Sequence, residues 1–201
     1  MKRSLAVPVA LLLLLTACER DNEADDIITD PVSPVIYTAR FPDSVFHYQH
    51  KPVLDIDHDG RFDFSSGTEI AGSREGDRWK YYLNPAPGWT ILLDANENPV
   101  PLDKGVVIGE DPGSGRSWSL SNALLVEKWN RLDGSTHRSG AWYTPHRQYM
   151  AVRLKKDDRY YYGWIELGYQ PKADEPSDQF IYRTAAVART SGRPVKAGEA
   201  Q

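Results

Sequence analysis

The sequence predicts an all-β chain folded as an antiparallel, jelly-roll-like β-sandwich with at most one short helix. Three observations carry this expectation. From Val35 onward, short apolar or alternating runs are separated by clusters of Pro, Gly, Asn and Asp. The runs are rich in β-branched and aromatic residues, which suit a pleated, half-buried surface. No repeat of fixed period is present, which disfavours propellers and solenoids.

Taken in order, Val35 to Phe41 forms the first strand and stops at Pro42-Asp43. Trp79 to Leu83 alternates and ends at Asn84-Pro85-Ala86-Pro87-Gly88. The chain then resumes as Trp89 to Leu93, so this stretch is a hairpin or a corner between sheets. In Gln148 to Leu154, Met150, Val152 and Leu154 share one face while Tyr149, Ala151 and Arg153 take the other. After the charged turn Lys155 to Asp158, Arg159 to Leu167 places Tyr160, Tyr162 and Trp164 on one face. Period-two alternation on both sides of a polar turn predicts an antiparallel hairpin. Phe180 to Val187 is a further strand, and Gly192 to Gln201 reads as a frayed tail. Leu120 to Leu132 is open between strand and helix: Leu125, Trp129 and Leu132 have helical spacing, with Ser121 or Asn122 as cap.

The first residues carry an address. Met1-Lys2-Arg3-Ser4 precedes an apolar run that ends at Leu15-Thr16-Ala17-Cys18. A basic start, a short apolar region and small residues before a cleavage point are the parts of a secretory signal. The run is too short to span a bilayer, which needs roughly 20 apolar residues. Leu15 to Cys18 resembles the bacterial lipobox, so residues 1–17 are expected to be removed and Cys18 lipidated. Two or three acyl chains anchor stably, at roughly 0.8 kcal/mol per buried CH₂. Residues 19–34 hold six acids against one arginine and end in prolines, a composition that cannot order itself. They are expected to form a tether reaching on the order of 20 Å, with the folded domain at residues 35–198. Glu19 after the cysteine lacks the aspartate resembling an inner-membrane retention signal, so the outer membrane is the expected location.

Composition narrows the function. The 201 residues include one cysteine and carry a formal charge of −4, which becomes −6 once Lys2 and Arg3 are removed. Phosphate affinity needs clustered Lys and Arg, so nucleic acid is not an expected partner. A lone cysteine excludes an internal disulfide and a Cys-rich zinc site.

The strongest chemical motif is Asp55-Ile56-Asp57-His58-Asp59-Gly60-Arg61-Phe62-Asp63. Carboxylates at relative positions 1, 3, 5 and 9, with glycine at 6, match the first part of a calcium loop. Alternate residues turn oxygens inward, Gly60 permits the sharp turn, and the Arg61 carbonyl supplies another ligand. Asp63 binds directly or through water. An EF-hand would place a glutamate at position 12, where Ser66 stands, and its flanks would be helices. The expectation is therefore a structural Ca²⁺ loop between strands, with Glu69 as a candidate to complete the shell. Asp94 to Asn98 lacks the glycine and reads as a plain turn.

Catalytic patterns are sparse. No Gly-x-Ser-x-Gly elbow is present, and Gly113-Ser114-Gly115-Arg116 lacks the ending of a phosphate loop. His47 and His50, at strand spacing, point to opposite faces; His137 and His146 fall in loops around Trp142. A carbohydrate-active enzyme on a β-sandwich scaffold is the alternative function, with Glu127 and Glu166 on strands but without the close acidic pattern of sandwich-fold glucanases. The tryptophans are expected mainly in the core. Tyr160, Tyr162 and Trp164 form a candidate sugar-stacking platform, which makes a glycan or an envelope protein a candidate partner.

Three further segments accompany the Asp55 to Phe64 loop: Leu102-Asp103-Lys104-Gly105-Val106-Val107-Ile108-Gly109 with Trp118 beyond it, Tyr162-Gly163-Trp164-Ile165, and Pro194 to Gly198. Their order resembles a group of bacterial secreted proteins that includes surface lipoproteins and some with PEP-CTERM sorting tails. The chain departs from that group at Arg183-Thr184-Ala185-Ala186, where an aromatic-rich stretch is more usual. The resemblance implies a secreted β-sandwich and brings no activity. The resulting expectation is a lipid-anchored envelope protein with a structural calcium loop, acting as a binding or structural module.

Overall fold

The computed structural model describes residues 36–144, 146–173 and 177–199. Among these residues the chain forms fourteen strands and no helix. The larger sheet has the order β1 (Ile36–Phe46), β13 (Gln179–Ala188), β12 (Arg159–Gln170), β11 (Arg147–Lys156), β5 (Trp89–Asp94) and β8 (Arg116–Ser119), with β6 (Pro101–Leu102) also pairing with β11. The smaller sheet runs β10 (Thr136–Ser139), β9 (Ala123–Arg131), β4 (Gly76–Pro85), β3 (Phe64–Ser73) and β2 (Val53–Leu54). A third pair joins β14 (Val195–Lys196) to β7 (Val107–Ile108). The strand pairs are antiparallel. Meanders β2–β3–β4 and β11–β12–β13 account for much of the pairing, more than the interleaved strands of a jelly roll.

The two sheets enclose a core that includes Phe46, Phe64, Tyr81, Trp89, Ile165, Phe180 and Tyr182. The other face of the larger sheet is covered too. Ala151, Tyr162, Trp164 and Ala186 lie under Val100, Leu102, Ile108, Val195 and Ala197. β12 is therefore buried along both faces, which explains why its centre reads as an almost continuous apolar run. Gly163 marks a close approach between β12 and β13: a Cβ there would stand 2.3 Å from the Ala186 carbonyl oxygen.

Local chemistry explains the connections. The proline-rich stretch after β4 is a corner between sheets, since β4 and β5 belong to different ones. Gly88, at φ 92°, accepts the Lys155 N–H at 2.8 Å and docks the corner on β11. The β11–β12 hairpin turns through Asp157 and Asp158, at φ 50° and 55°, matching the left-handed pair of a type I′ turn. Pro42 falls where β1 shifts register against β13, as expected of proline on an edge strand.

Two expectations are corrected. Leu120 to Leu132 is not helical; it contains β9. Its register slips between Tyr81 and Tyr82, so Leu125 and Val126 both face inward and the period of two is lost. The apparent helical spacing joined inward Leu125, outward Trp129 and Leu132, which lies beyond the strand and is exposed. Gly192 onward is not a frayed tail as far as it is described. Val195 and Ala197 are buried, and the Ala197 N–H donates to the Val106 carbonyl at 2.9 Å.

One buried polar cluster had no sequence signature. Asp178, wholly buried, lies between β12 and β13. It accepts from Arg138 Nε at 2.9 Å and Nη2 at 3.0 Å, from Lys128 Nζ at 3.2 Å, and from the Lys172 N–H at 2.9 Å. The Tyr169 hydroxyl also donates to it, and its own N–H donates to the Tyr81 hydroxyl at 2.8 Å. Lys128 on β9 and Arg138 on β10 thereby join the smaller sheet to the larger one. Burial pushes the Asp178 carboxyl up, but the Arg138 guanidinium, the Lys172 N–H, the Tyr169 hydroxyl and the Lys128 ammonium outweigh it and hold it below its ordinary range.

Asp178→Ala should destabilise the protein by about 3–5 kcal/mol in urea unfolding, because it removes the buried carboxylate that pairs with both Lys128 and Arg138. The depressed carboxyl binds fewer protons folded than unfolded. Its stabilisation is complete above the ordinary carboxylate range, about pH 4, and is lost as pH falls through the folded value. Melting curves should accordingly show a loss of stability below about pH 4 that is blunted in Asp178→Asn.

Candidate metal centre

Residues 55–63 connect β2 to β3, whose pairs are Val53 with Ser65 and Leu54 with Phe64. The loop is thus flanked by antiparallel strands. The backbone of Asp63 fixes its base: its N–H donates to the Leu54 carbonyl, and its carbonyl accepts the Ala86 N–H, both at 2.7 Å. Ile56 is wholly buried and pins the first turn into the core. His58 and Gly60 adopt φ 60° and 84°. Since a Cβ at Gly60 would meet no atom within 4 Å, backbone conformation and not space makes glycine suitable there.

The aspartates organise this turn. Asp63 Oδ2 accepts the Ile56 N–H at 2.6 Å and the Asp57 N–H at 3.4 Å. Asp55 Oδ2 accepts the Gly60 N–H, and Asp57 Oδ1 accepts the Asp59 N–H, both at 3.1 Å. Asp59 Oδ1 accepts the Arg61 N–H at 2.8 Å. Asp55, Asp57 and Asp63 each offer an oxygen, and these three atoms lie within 4.8 Å of one another. Together they form an acidic triad that could hold a metal ion. The Asp55 Oδ1 atom is buried without a hydrogen-bond partner.

Electrostatics show the strain of this arrangement. Burial pushes the Asp63 carboxyl up to about 6; the Ile56 and Asp57 N–H groups oppose the rise, while the Asp57 and Asp55 charges add to it. Asp57 is also raised, first by burial and then by the Asp59 and Asp55 charges, against the Asp59 N–H and the Lys156 ammonium. A cation among these oxygens would favour their ionised forms.

Of the sequence-predicted ligands, Asp55, Asp57 and Asp63 converge. Asp59 and Arg61 are exposed on the same loop, and Asp59 is not one of the triad. Ser66 packs inward, with its hydroxyl 3.1 Å from the Pro52 carbonyl and 3.0 Å from the Tyr182 hydroxyl. Glu69 lies along β3, where it accepts from the Tyr82 hydroxyl at 3.2 Å. Asp94 forms a plain turn, accepting the Asn96 and Asn98 N–H groups at 2.9 and 2.8 Å. Lys155 and Lys156 line a cleft with Asp57, Asp59 and Asp63. Sequence reasoning missed that neighbourhood, because only the β11 fold-back brings these lysines to the loop.

Tyr162 and Trp164 are 1% and 3% exposed beneath the cover on the outer face of the larger sheet, so neither ring has an open face for a sugar. Tyr160 is half-buried, and the Arg153 guanidinium covers its ring at 4.2 Å. His47 and His50 do not diverge: a turn bonds their backbones reciprocally and sets the rings 6.0 Å apart. His137 lies on β10, not in a loop. Glu127 pairs with Arg78 on the smaller sheet, whereas Glu166, on the larger one, accepts from Thr184. These two carboxylates do not face each other across a cleft. Cys18, the signal segment and the acidic tether lie outside the described residues.

No protein-family model, curated protein or solved structure matches the chain.

Asp63→Ala should cost about 1–3 kcal/mol even with chelator present, because the buried Ile56 N–H loses its acceptor. Urea unfolding in the presence of EDTA measures this cost apart from any ion.

Proposed function

We propose that this chain is a lipid-anchored cell-envelope protein whose β-sandwich carries a structural Ca²⁺ loop and serves as a binding or structural module. The convergence of Asp55, Asp57 and Asp63 carries the reading. Carboxylate oxygens are hard donors, and Ca²⁺ takes six to eight oxygens in flexible geometry. Asp59, directly or through water, and the Arg61 carbonyl are the further ligands on the same loop. The ion's role is to hold the β2–β3 connection, which has no disulfide to restrain it: the only cysteine, Cys18, is the proposed lipid attachment point.

The anchor reading rests on the basic start, the apolar run and Leu15-Thr16-Ala17-Cys18. Its proposed location is the outer membrane. Motif order adds the likeness to secreted and surface lipoproteins of bacteria.

Calcium at about 100 times its Kd should stabilise the domain by about 2.7 kcal/mol, raising Tm by roughly 5–10 °C. The rise should vanish in an Asp57→Ala, Asp59→Ala double variant, and an unchanged wild-type melting curve refutes the ion. Separately, Cys18→Ser should move the protein from the membrane fraction to the soluble envelope fraction. Retention of that variant on membranes would count against the lipid anchor.

A further inference from the structure

A second charged site lies at the opposite end of β11 from the acidic loop. Arg147, Gly168 and Ile181 are successive register partners across β11, β12 and β13. With His146, Gln170, Pro171, Lys172 and Arg183 they line a cleft of about 420 Å³. Gly168 contributes no side chain to it, while Arg147 and Arg183 contribute cationic ones.

Arg183 is the informative residue. It sits on β13, an inner strand of the larger sheet, and its Nε is buried without a hydrogen-bond partner. Other arginines are accounted for differently. Arg78 and Arg131 flank the Trp129 ring, Arg153 lies over Trp118 and Tyr160, Arg189 covers Tyr37, and Arg138 holds Asp178. Among the described residues, Arg183 has neither a ring nor a carboxylate as partner. Glu166 does not supply one: it accepts from Thr184 Oγ1 at 2.7 Å and pairs loosely with Arg147 at 3.8 Å. A half-buried guanidinium bears a desolvation cost that an anion would offset.

The cleft wall is also built rather than incidental. The Lys172 N–H is bonded to Asp178, and its carbonyl accepts from Lys128 at 3.3 Å and Arg138 at 3.1 Å. The buried charge cluster that ties the sheets therefore fixes one side of the cleft.

We propose that this cleft binds the oxyanion group of an acidic ligand, with Arg183 and Arg147 as its principal donors. Guanidinium forks match carboxylate, sulfate and phosphate oxygens through charge-assisted hydrogen bonds. In a chain with a net negative charge, such a concentration of cations is a local departure and not a general surface property.

The test is calorimetric titration of the full chain with galacturonate, sulfate and inorganic phosphate at low ionic strength. The expected result is saturable one-site binding of at least one of these in the millimolar range or tighter. Arg183→Gln should weaken that binding by about tenfold or more, and Arg74→Gln, in the exposed β3–β4 turn, should leave it unchanged. Arg147→Gln serves the same purpose should Arg183→Gln fail to fold, because the Arg147 side chain is 66% exposed and its loss spares the core. A preference for galacturonate assigns a carboxylate ligand; a preference for the inorganic ions assigns a sulfate or phosphate group. Absence of saturable binding by all three, or binding that survives both cleft substitutions, overturns the proposal. Neither result depends on calcium.

Discussion

The centre of the larger sheet is buried on both faces, and most of the other features follow from that constraint. A sandwich sheet ordinarily shows one face to water and alternates in polarity. Here β7, β14 and the segment through Val100 and Leu102 cover the outer face, so the centre of β12 must be apolar on both sides. Close covering also demands small residues. Ala151 and Ala186 are set where the covering layer meets the sheet. The same demand orders the C-terminal segment, because Val195 and Ala197 supply part of that cover. Two-sided burial then leaves the sheet ends as the places where polar side chains can gather: the acidic loop at one end of β11 and the arginine cleft at the other.

Two buried carboxylates, Asp178 and Asp63, illustrate opposite solutions to the same cost. Asp178 has a guanidinium, an ammonium, an amide and a phenol within hydrogen-bond reach, and its carboxyl is held below the ordinary range. Its charge is balanced wholly within the chain. Asp63 has only two backbone N–H donors and stands beside Asp55 and Asp57, so its carboxyl rises to about 6. Its charge is not balanced by protein atoms. A structural carboxylate selected only to cap a turn would not need two further carboxylates within 4.8 Å. The contrast makes a cation the natural complement of the loop, whereas Asp178 requires nothing from outside.

Legibility in the sequence followed the range of the interactions. The β11–β12 hairpin was readable because alternation and a charged turn are local, and the acidic loop because its spacing lies within nine residues. β9 was ambiguous because a bulge at Leu125 destroys the period of two on which a strand reading rests. The C-terminal strand was missed because β14 is two residues long and is stabilised by partners near residue 107. Asp178 was invisible for a stronger reason. Its partners Lys128, Arg138 and Tyr169 come from three other strands, and an aspartate after Ser177 looks like any turn residue. Arg183 likewise resembles an ordinary outward-facing strand residue until its surroundings are known.

The aromatic content has a consequence for binding. Exposed rings invite the idea of stacking on sugars, yet several accessible rings of this chain are covered by its own cations. Arg78 and Arg131 both lie over Trp129, at 4.3 and 4.2 Å, Arg153 lies over Trp118 and Tyr160, and Arg189 lies over Tyr37. Such contacts contribute about 0.5–1 kcal/mol at exposed sites and also occupy the face a sugar would use. Displacing a guanidinium from a ring adds a cost to every stacking contact. At the arginine cleft the corresponding competitor is Glu166, which pairs loosely with Arg147 at 3.8 Å and is not a partner of Arg183. The covered rings are therefore poorer stacking platforms than their exposure alone suggests.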